Sequence, residues 1–257
     1  RARVGDMSRH LPRLRQVSHE YRFARKDGDY VWVRDELRLE QEGPAGGEGN
    51  GGLEIVGAWT DVTARRRVEM ALTTQRQVLE MVASGASLTH TLETLVRGVE
   101  AQLNGVRASI LLLDPDGENL RHGSAPSLPE AYNQWVDGIC IGEGVGSCGT
   151  AAWRRAPVIV EDISCDPLWA EYADVAASFG LKACWSTPIF SRDGSVLGTF
   201  ALYPSVVSRP AEDHLEQIAL ATDVAAIAIT RHREESALRH SEARFRQLFE
   251  VAPMPLA

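Results

Sequence analysis

Apolar residues change their period several times along this chain, and each change marks an element. Over residues 20–39 they alternate with polar ones on either side of Asp27-Gly28, the pattern of two antiparallel strands joined by a tight turn. Residues 42–52, rich in glycine and glutamate, have nothing to anchor them and read as a solvated loop tip. Alternation resumes in Leu53-Glu54-Ile55-Val56-Gly57-Ala58-Trp59, a third strand, and ends at Asp61-Val62-Thr63, where Thr63 is placed to cap a helix beginning at Ala64. From there the period lengthens. Val68, Leu72, Gln75, Leu79 and Val82 follow at spacings of 4, 3, 4 and 3, a coiled-coil seam with one polar member. So short a seam does not hold a coiled coil together alone. It predicts either an amphipathic connector lying on its own domain or half of a parallel dimer, and a second long helix further along favours the dimer.

Ser84-Gly85 breaks the run, after which Leu88, Leu92, Leu95, Val96, Val99 and Leu103 mark one face of a new helix. A buried strand over residues 107–113 enters the turn Asp114-Pro115-Asp116-Gly117, and residues 119–124 return antiparallel. A short helix near 128–136 precedes the segment Gly142-Glu143-Gly144-Val145-Gly146-Ser147-Cys148-Gly149-Thr150-Ala151-Ala152, a glycine-rich turn opening a short helix that Ser147 can cap. Pro157-Val158-Ile159-Val160-Glu161-Asp162-Ile163 reads as a buried strand, and residues 166–180 as a helix carrying Trp169, Tyr172 and Phe179. Two further strands, 182–190 and 195–203, flank Asp193-Gly194 as a second hairpin. Pro210 opens a long helix with a wide apolar face of Leu215, Ile218, Leu220, Val224, Ile227 and Ile229. The order of elements predicts an α+β fold, an antiparallel sheet flanked by helices.

Composition narrows the function classes. A chain of 257 residues, 44% hydrophobic, buries a real core in one or two domains. Its net charge of −8 argues against nucleic acid or an anionic membrane as the main partner. No apolar run reaches the ~18 residues of a membrane span, and the opening Arg1-Ala2-Arg3 looks cut from a longer chain. Cys140, Cys148, Cys165 and Cys184 lack the spacing of a secreted disulfide scaffold, so the expected compartment is the cytoplasm.

The markers Gly146-x-Cys148-Gly149-x-Ala151, the strand from Val158 to Ile163, Ser186-Thr187-Pro188-Ile189 and Leu197-Gly198-Thr199 resemble the GAF family of sensory domains over residues 85–231. Tyr21-Arg22 with Lys26-Asp27-Gly28-x-Tyr30-x-Trp32-Val33 and the terminal Asp61-Val62-Thr63 resemble the C-terminal half of a PAS domain, residues 1–62. Residues 63–84 would then be a signalling helix. The tail, with Arg244-Phe245-Arg246-Gln247-Leu248-Phe249-Glu250, resembles the start of a second PAS domain reached by a connecting helix over 232–257. The resemblance implies a sensory PAS–GAF–PAS array, a homodimer, upstream of an enzyme of cyclic di-GMP turnover or of a histidine kinase.

By the same resemblance a small-molecule pocket lies between the sheet and the segments 139–151 and 162–180. Its expected lining is Ser109, Leu111, Cys148, Thr150, Trp169, Tyr172, Trp185, Thr187 and Phe200, aromatic side chains around a few polar groups. The same set also suits an ordinary core, which leaves a passive dimerising module as the alternative. No cofactor is named by the sequence. Cys148 falls in the first turn of its helix, where dipole and free N–H groups favour a thiolate, so thiol-based redox or metal sensing is a third reading. The cysteine gaps of 8, 17 and 19 residues match no zinc or iron–sulfur spacing, so no metal site is expected.

Enzymatic and cofactor-binding GAF relatives carry signatures that this chain lacks. Free methionine sulfoxide reductases resemble it at Val145-Gly146-Ser147-Cys148-Gly149-Thr150-Ala151, but they hold their catalytic cysteine in a His-Ile-Ala-Cys-Asp segment. Residues 166–180 contain neither cysteine nor histidine, so that nucleophile is missing and no enzyme is expected. No cysteine precedes a histidine as a covalent bilin requires. The scattered His90, His122 and His214 suggest no haem ligand, and the Asn-Lys-x-x-x-Phe motif of cyclic-nucleotide GAF domains is absent.

Overall fold

The computed structural model describes residues 15–26, 30–41, 53–103 and 105–250. Its contacts divide the chain into two units, Arg1–Met70 and Ala71–Ala257. In the first, β1 (Gln16–Ala24), β2 (Tyr30–Gln41) and β3 (Leu53–Asp61) pair antiparallel in the order β1-β2-β3. Register places Tyr21 opposite Val33 and Val33 opposite Asp61, so Tyr21, Phe23, Val31, Val33, Ile55 and Trp59 share one face of the sheet. Phe23, Ile55 and Trp59 on that face remain exposed. The Asp27-Gly28 turn and the 42–52 loop tip expected from sequence lie outside the described residues, as do residues 251–257 of the tail.

Helix α1 (Thr63–Ala83) begins one residue earlier than expected, and Thr63 is not its cap. The Asp61 carboxylate accepts the Thr63 N–H at 2.9 Å, and this contact with Thr63 holds its pKa below the usual range. The Thr63 hydroxyl instead accepts the Trp32 N–H at 2.9 Å and ties the helix start to β2. Glu20 of β1 is bound by Arg34 at 2.8 Å, Arg65 at 2.7 Å and Arg66 at 2.5 Å, and these cations, Arg34 foremost, depress its pKa.

In the second unit, Gly85 at φ +74° provides the break after α1. Ser87 then accepts the His90 N–H to cap α2 (Leu88–Gln102). Six strands follow: β4 (Val106–Leu113), β5 (Asn119–Ser124), β6 (Ile139–Cys140), β7 (Val158–Val160), β8 (Cys184–Phe190) and β9 (Val196–Pro204). They form one antiparallel sheet in the order β6-β5-β4-β9-β8-β7. One face packs under α2, α6 (Glu212–Glu250) and the end of α1, with Val78, Leu92, Val96, Ile110, Phe200, Leu202, Val224 and Ile229 in its core. The other packs under α3 (Glu130–Val136), α4 (Gly146–Arg154) and the segment after β7, with Leu111, Leu120, Tyr132, Ala151, Trp169 and Tyr203. The fold is the α+β arrangement read from the sequence, an antiparallel sheet with helices on both faces.

Three local expectations change. The helix expected over 166–180 is two short pieces, a 3-10 turn at Pro167–Trp169 and α5 (Ala173–Ser178). The Asp166 carboxylate starts the first by accepting the Leu168 N–H at 2.9 Å. Helix α6 opens two residues beyond Pro210, where the Ala211 N–H donates to Nδ1 of His214 at 3.0 Å. The α1 seam divides: Val82 packs against the core and Gln75 is half-buried, whereas Val68, Leu72 and Leu79 stay exposed. On α6 the apolar face divides similarly, with Ile218, Val224 and Ile229 buried but Leu215 and Ile227 exposed. Among the described residues, no helix is long and apolar enough to cross a membrane.

Candidate functional site

The glycine-rich segment builds one wall of a cavity on the α4 face of the sheet. Gly146 adopts φ +54° at the helix start, and an added Cβ would sit 3.6 Å from the Trp169 ring. Gly149 has no room for a side chain, because a Cβ there would lie 2.8 Å from Val145 and 2.9 Å from the Cys140 carbonyl. Together these positions let α4 press onto the sheet. Ser147 does not cap the helix. Val145 holds the N-cap position without a side-chain bond, and the buried Ser147 hydroxyl accepts the Trp169 indole N–H at 2.9 Å while donating to the Cys184 carbonyl at 3.2 Å. It joins α4, the 3-10 turn and β8.

Leu111 and Tyr203 from the sheet, Tyr132, Trp135 and Val136 from α3, Ile139, residues 145–148, Trp169 and Tyr172 enclose a cavity of about 20 Å³, traced by the centre of a water-sized sphere. That is room for a water molecule or two. The aromatic wall is internally braced: Tyr132 lies edge-on to Tyr203 and Phe179, and Trp135 edge-on to Tyr172 at 5.7 Å. No lining residue is an acid or a base in the charged range of Asp, Glu, Lys, Arg or His.

Behind this wall lies a buried polar cluster. Tyr203 Oη is its hub, 3.1 Å from Ser109 Oγ, 3.4 Å from the donating Tyr132 hydroxyl and 3.8 Å from Cys148 Sγ. Burial pushes both phenols well above their ordinary pKa. Cys184 is wholly buried on β8, and burial drives its pKa well up. Cys148 moves the other way, its pKa lowered first by the neighbouring Cys184 and then, against the cost of burial, by polar neighbours that include the Tyr203 hydroxyl. The Thr150, Ser186 and Thr199 hydroxyls are buried without a hydrogen-bond partner of their own. Cys140 and Cys165 are exposed, and all four cysteines are free thiols. Among the described residues, no three His, Cys, Asp or Glu side chains converge as a metal site.

The sequence profile of the GAF domain matches residues 87–229, more than half of the chain. The chain belongs to the GAF domain family. A methyl sulfide methyltransferase-associated sensor of Methanosarcina acetivorans is 38% identical over 238 residues, which cover 91% of this chain but only 23% of that protein. The chain therefore spans about a quarter of the length of this curated relative. Among solved structures, free methionine-R-sulfoxide reductase of Neisseria meningitidis superposes with a TM-score of 0.53 at 16% identity, covering 68% of this chain and 95% of the reductase. The GAF domain of a phosphoenolpyruvate-protein phosphotransferase from Coxiella burnetii gives 0.52 at 19% identity, covering 65% and 96%. Both likenesses are of fold.

Within this GAF domain, the residues expected to line a pocket separate by strand parity. Leu111, Cys148, Trp169 and Tyr172 face the cavity. Ser109 is buried behind it, on Tyr203, and Thr150 is buried within α4 away from the lining. Trp185, Thr187 and Phe200 do not belong to it. Register pairs Trp185 with Leu202 and Thr187 with Phe200, which places all three on the opposite face, under α2 and α6. There the Trp185 indole donates to the Ser208 carbonyl at 3.1 Å and its ring packs on His214. Sequence reasoning missed Tyr203 and the α3 wall. The α3 wall was signalled by the helical spacing of Tyr132, Trp135 and Val136, whereas the parity of Tyr203 only sets it apart from Phe200 and Leu202 without saying which face holds the cavity.

Proposed function

We propose that this chain is a sensory segment of a larger signal transducer whose GAF domain binds a small uncharged molecule in the aromatic cavity between α3, α4 and the sheet. The observation that carries this reading is the lining itself: five aromatic rings, the Ser147 and Tyr203 hydroxyls and no charged side chain. An ion placed there would lose its hydration with no counter-charge to replace it, whereas an apolar molecule with one polar group would be accommodated. The cavity's size in the closed state restricts the ligand to few heavy atoms unless α3 or α5 yields. The name of the Methanosarcina relative, a sensor, supports the class.

Signal output would run through the helices. Leu72 and Leu79 of α1 and Leu215 and Ile227 of α6 are exposed apolar positions that a second copy would cover in a parallel homodimer. A ligand that favours one packing of that bundle would bias a distal output. Residues 1–62 fit the closing strands of a PAS domain, with 232–257 leading into another, and the output would be cyclic di-GMP turnover, with a histidine kinase as the alternative. The role is non-catalytic on this reading, since residues 166–180 hold neither cysteine nor histidine.

Native mass spectrometry of the chain purified from cells tests both parts. A dimer retaining an uncharged compound of low mass is expected, and Leu72→Asp with Leu79→Asp should yield monomer. A protein that leaves the cell empty overturns the ligand reading, and a double variant that stays dimeric overturns the helical interface.

A further inference from the structure

The buried row Ala221, Ala225 and Ile229 repeats every four residues along α6, and its next member is Arg233. One turn further the row reaches the surface at Ala237, beside the exposed Leu238 and Phe245. The helix runs on to Glu250, about 25 Å beyond Arg233. Its neighbours Arg231 and Arg239 both pair with Glu235 on the helix itself. Arg233 turns the other way. Its half-buried guanidinium donates to the Leu113 carbonyl at 2.5 Å and to the Leu197 carbonyl at 3.3 Å, at the end of β4 and the start of β9. Among the described residues no carboxylate pairs with it, and burial lowers its pKa. The two strands it joins are in close backbone contact, because Gly198 has no side chain and an added Cβ would run into the Leu111 carbonyl. The Leu111 side chain lines the aromatic cavity, two residues or about 7 Å along β4 from the carbonyl that Arg233 holds.

We propose that Arg233 is a strap that carries movement of the cavity wall to α6, at the point where this helix leaves the domain. Val224, Ala225, Ala228 and Ile229 pack on the sheet side through apolar contacts, which have no preferred direction. The Arg233 bonds are directional and fix on backbone, so they follow the strands themselves. The strap has two states, bonded to the carbonyls or released with its charge in water. A guanidinium exchanges protein acceptors for water at small net cost, so a small shift of β4 selects between them. A molecule pressing on Leu111 would move the end of β4, release or tighten the strap, and change how firmly the helix beyond residue 230 is held. The inference rests on the reading of the cavity as the sensing site. It needs no identified ligand, because a substitution in the wall supplies the same push. A chain that leaves the cell empty would overturn the ligand reading and leave this coupling standing.

Hydrogen–deuterium exchange of the whole chain, read by mass spectrometry over residues 230–240, tests it. Leu111→Val trims the cavity wall without touching α6, and Leu111→Met reshapes it at nearly constant volume. Each should raise exchange over 230–240 roughly 3- to 10-fold in the parent chain. Arg233→Gln alone should raise it by a similar factor. In the Arg233→Gln background the Leu111 substitutions should still loosen β4 but add nothing over 230–240, because the connection is already cut. A merely structural Arg233 would give additive effects instead. Val158→Ala, a buried truncation on β7, should leave residues 230–240 as in the parent, which separates coupling from general loosening. The proposal is overturned if the Leu111 variants leave 230–240 unchanged in the parent, if their effects add to that of Arg233→Gln, or if Val158→Ala acts as they do.

Discussion

Replacing Ser147 by Ala isolates the clamp on which the cavity wall depends. The hydroxyl makes two buried hydrogen bonds, accepting from Trp169 Nε1 at 2.9 Å and donating to the Cys184 carbonyl at 3.2 Å. Alanine removes one oxygen and leaves an indole N–H without an acceptor on a residue only 4% exposed. Stranding that donor costs about 1–3 kcal/mol, and loss of the second bond adds about 0.5–1.5 kcal/mol. A destabilisation near 2.5 kcal/mol is expected, which for a unit of this size lowers Tm by about 5–10 °C. Urea denaturation followed by tryptophan fluorescence measures it. A double-mutant cycle with Trp169→Phe should return a coupling of about 1 kcal/mol, because the pair shares one bond. A Ser147→Ala protein within about 0.5 kcal/mol of the parent, or a strictly additive cycle, would refute the assignment of Ser147 as a bridge.

Gly198→Ala should be damaging, since at this buried position the new Cβ would run into the Leu111 carbonyl oxygen and force β4 from β9. A loss of about 3 kcal/mol or more by the same denaturation assay is expected, and a small effect would mean the two central strands separate easily. Asp193 is held at a pKa of about 2, first by the Ser191 hydroxyl and then by Ser195, in the turn between β8 and β9. Because its folded pKa is depressed, its contribution is present above the unfolded value and lost as pH falls through about 2. Asp193→Asn should therefore flatten the acid limb of the stability profile between about pH 4 and pH 2, and an unchanged limb would rule out this turn as its source.

Much of the architecture was legible because it follows from periods of hydrophobicity. Alternation around Asp193-Gly194 corresponds to β8 and β9, and the 3.6-residue stripe of Leu92, Leu95, Val96 and Val99 to α2, since each pattern buries its apolar side chains in only one backbone conformation. Boundaries were less secure. Thr63 is a good cap by type, but Asp61 reached the helix end first, and the stretch after Asp166 divides into a 3-10 piece and α5. Such outcomes depend on which of two competent groups the tertiary contacts leave free.

The sequence by itself determined the kinds of element, their order, the family, and the chemistry available: a thiol at the head of a helix, aromatic rings nearby, few charges among them. Only the tertiary structure decided which side of the sheet each of these faces. In a strand buried on both faces, no polar residue marks the outside, so Trp185 and Phe200 were indistinguishable in sequence from Cys184 and Tyr203. Helices α2 and α6 claimed the first pair, and α3 and α4 the second. The same packing brought the Ser147 hydroxyl onto the Cys184 carbonyl, 37 positions away in the chain, and turned Gln75 and Val82 inward while leaving Leu72 and Leu79 exposed. Contacts between distant segments are set by how the layers stack, which local propensity does not encode.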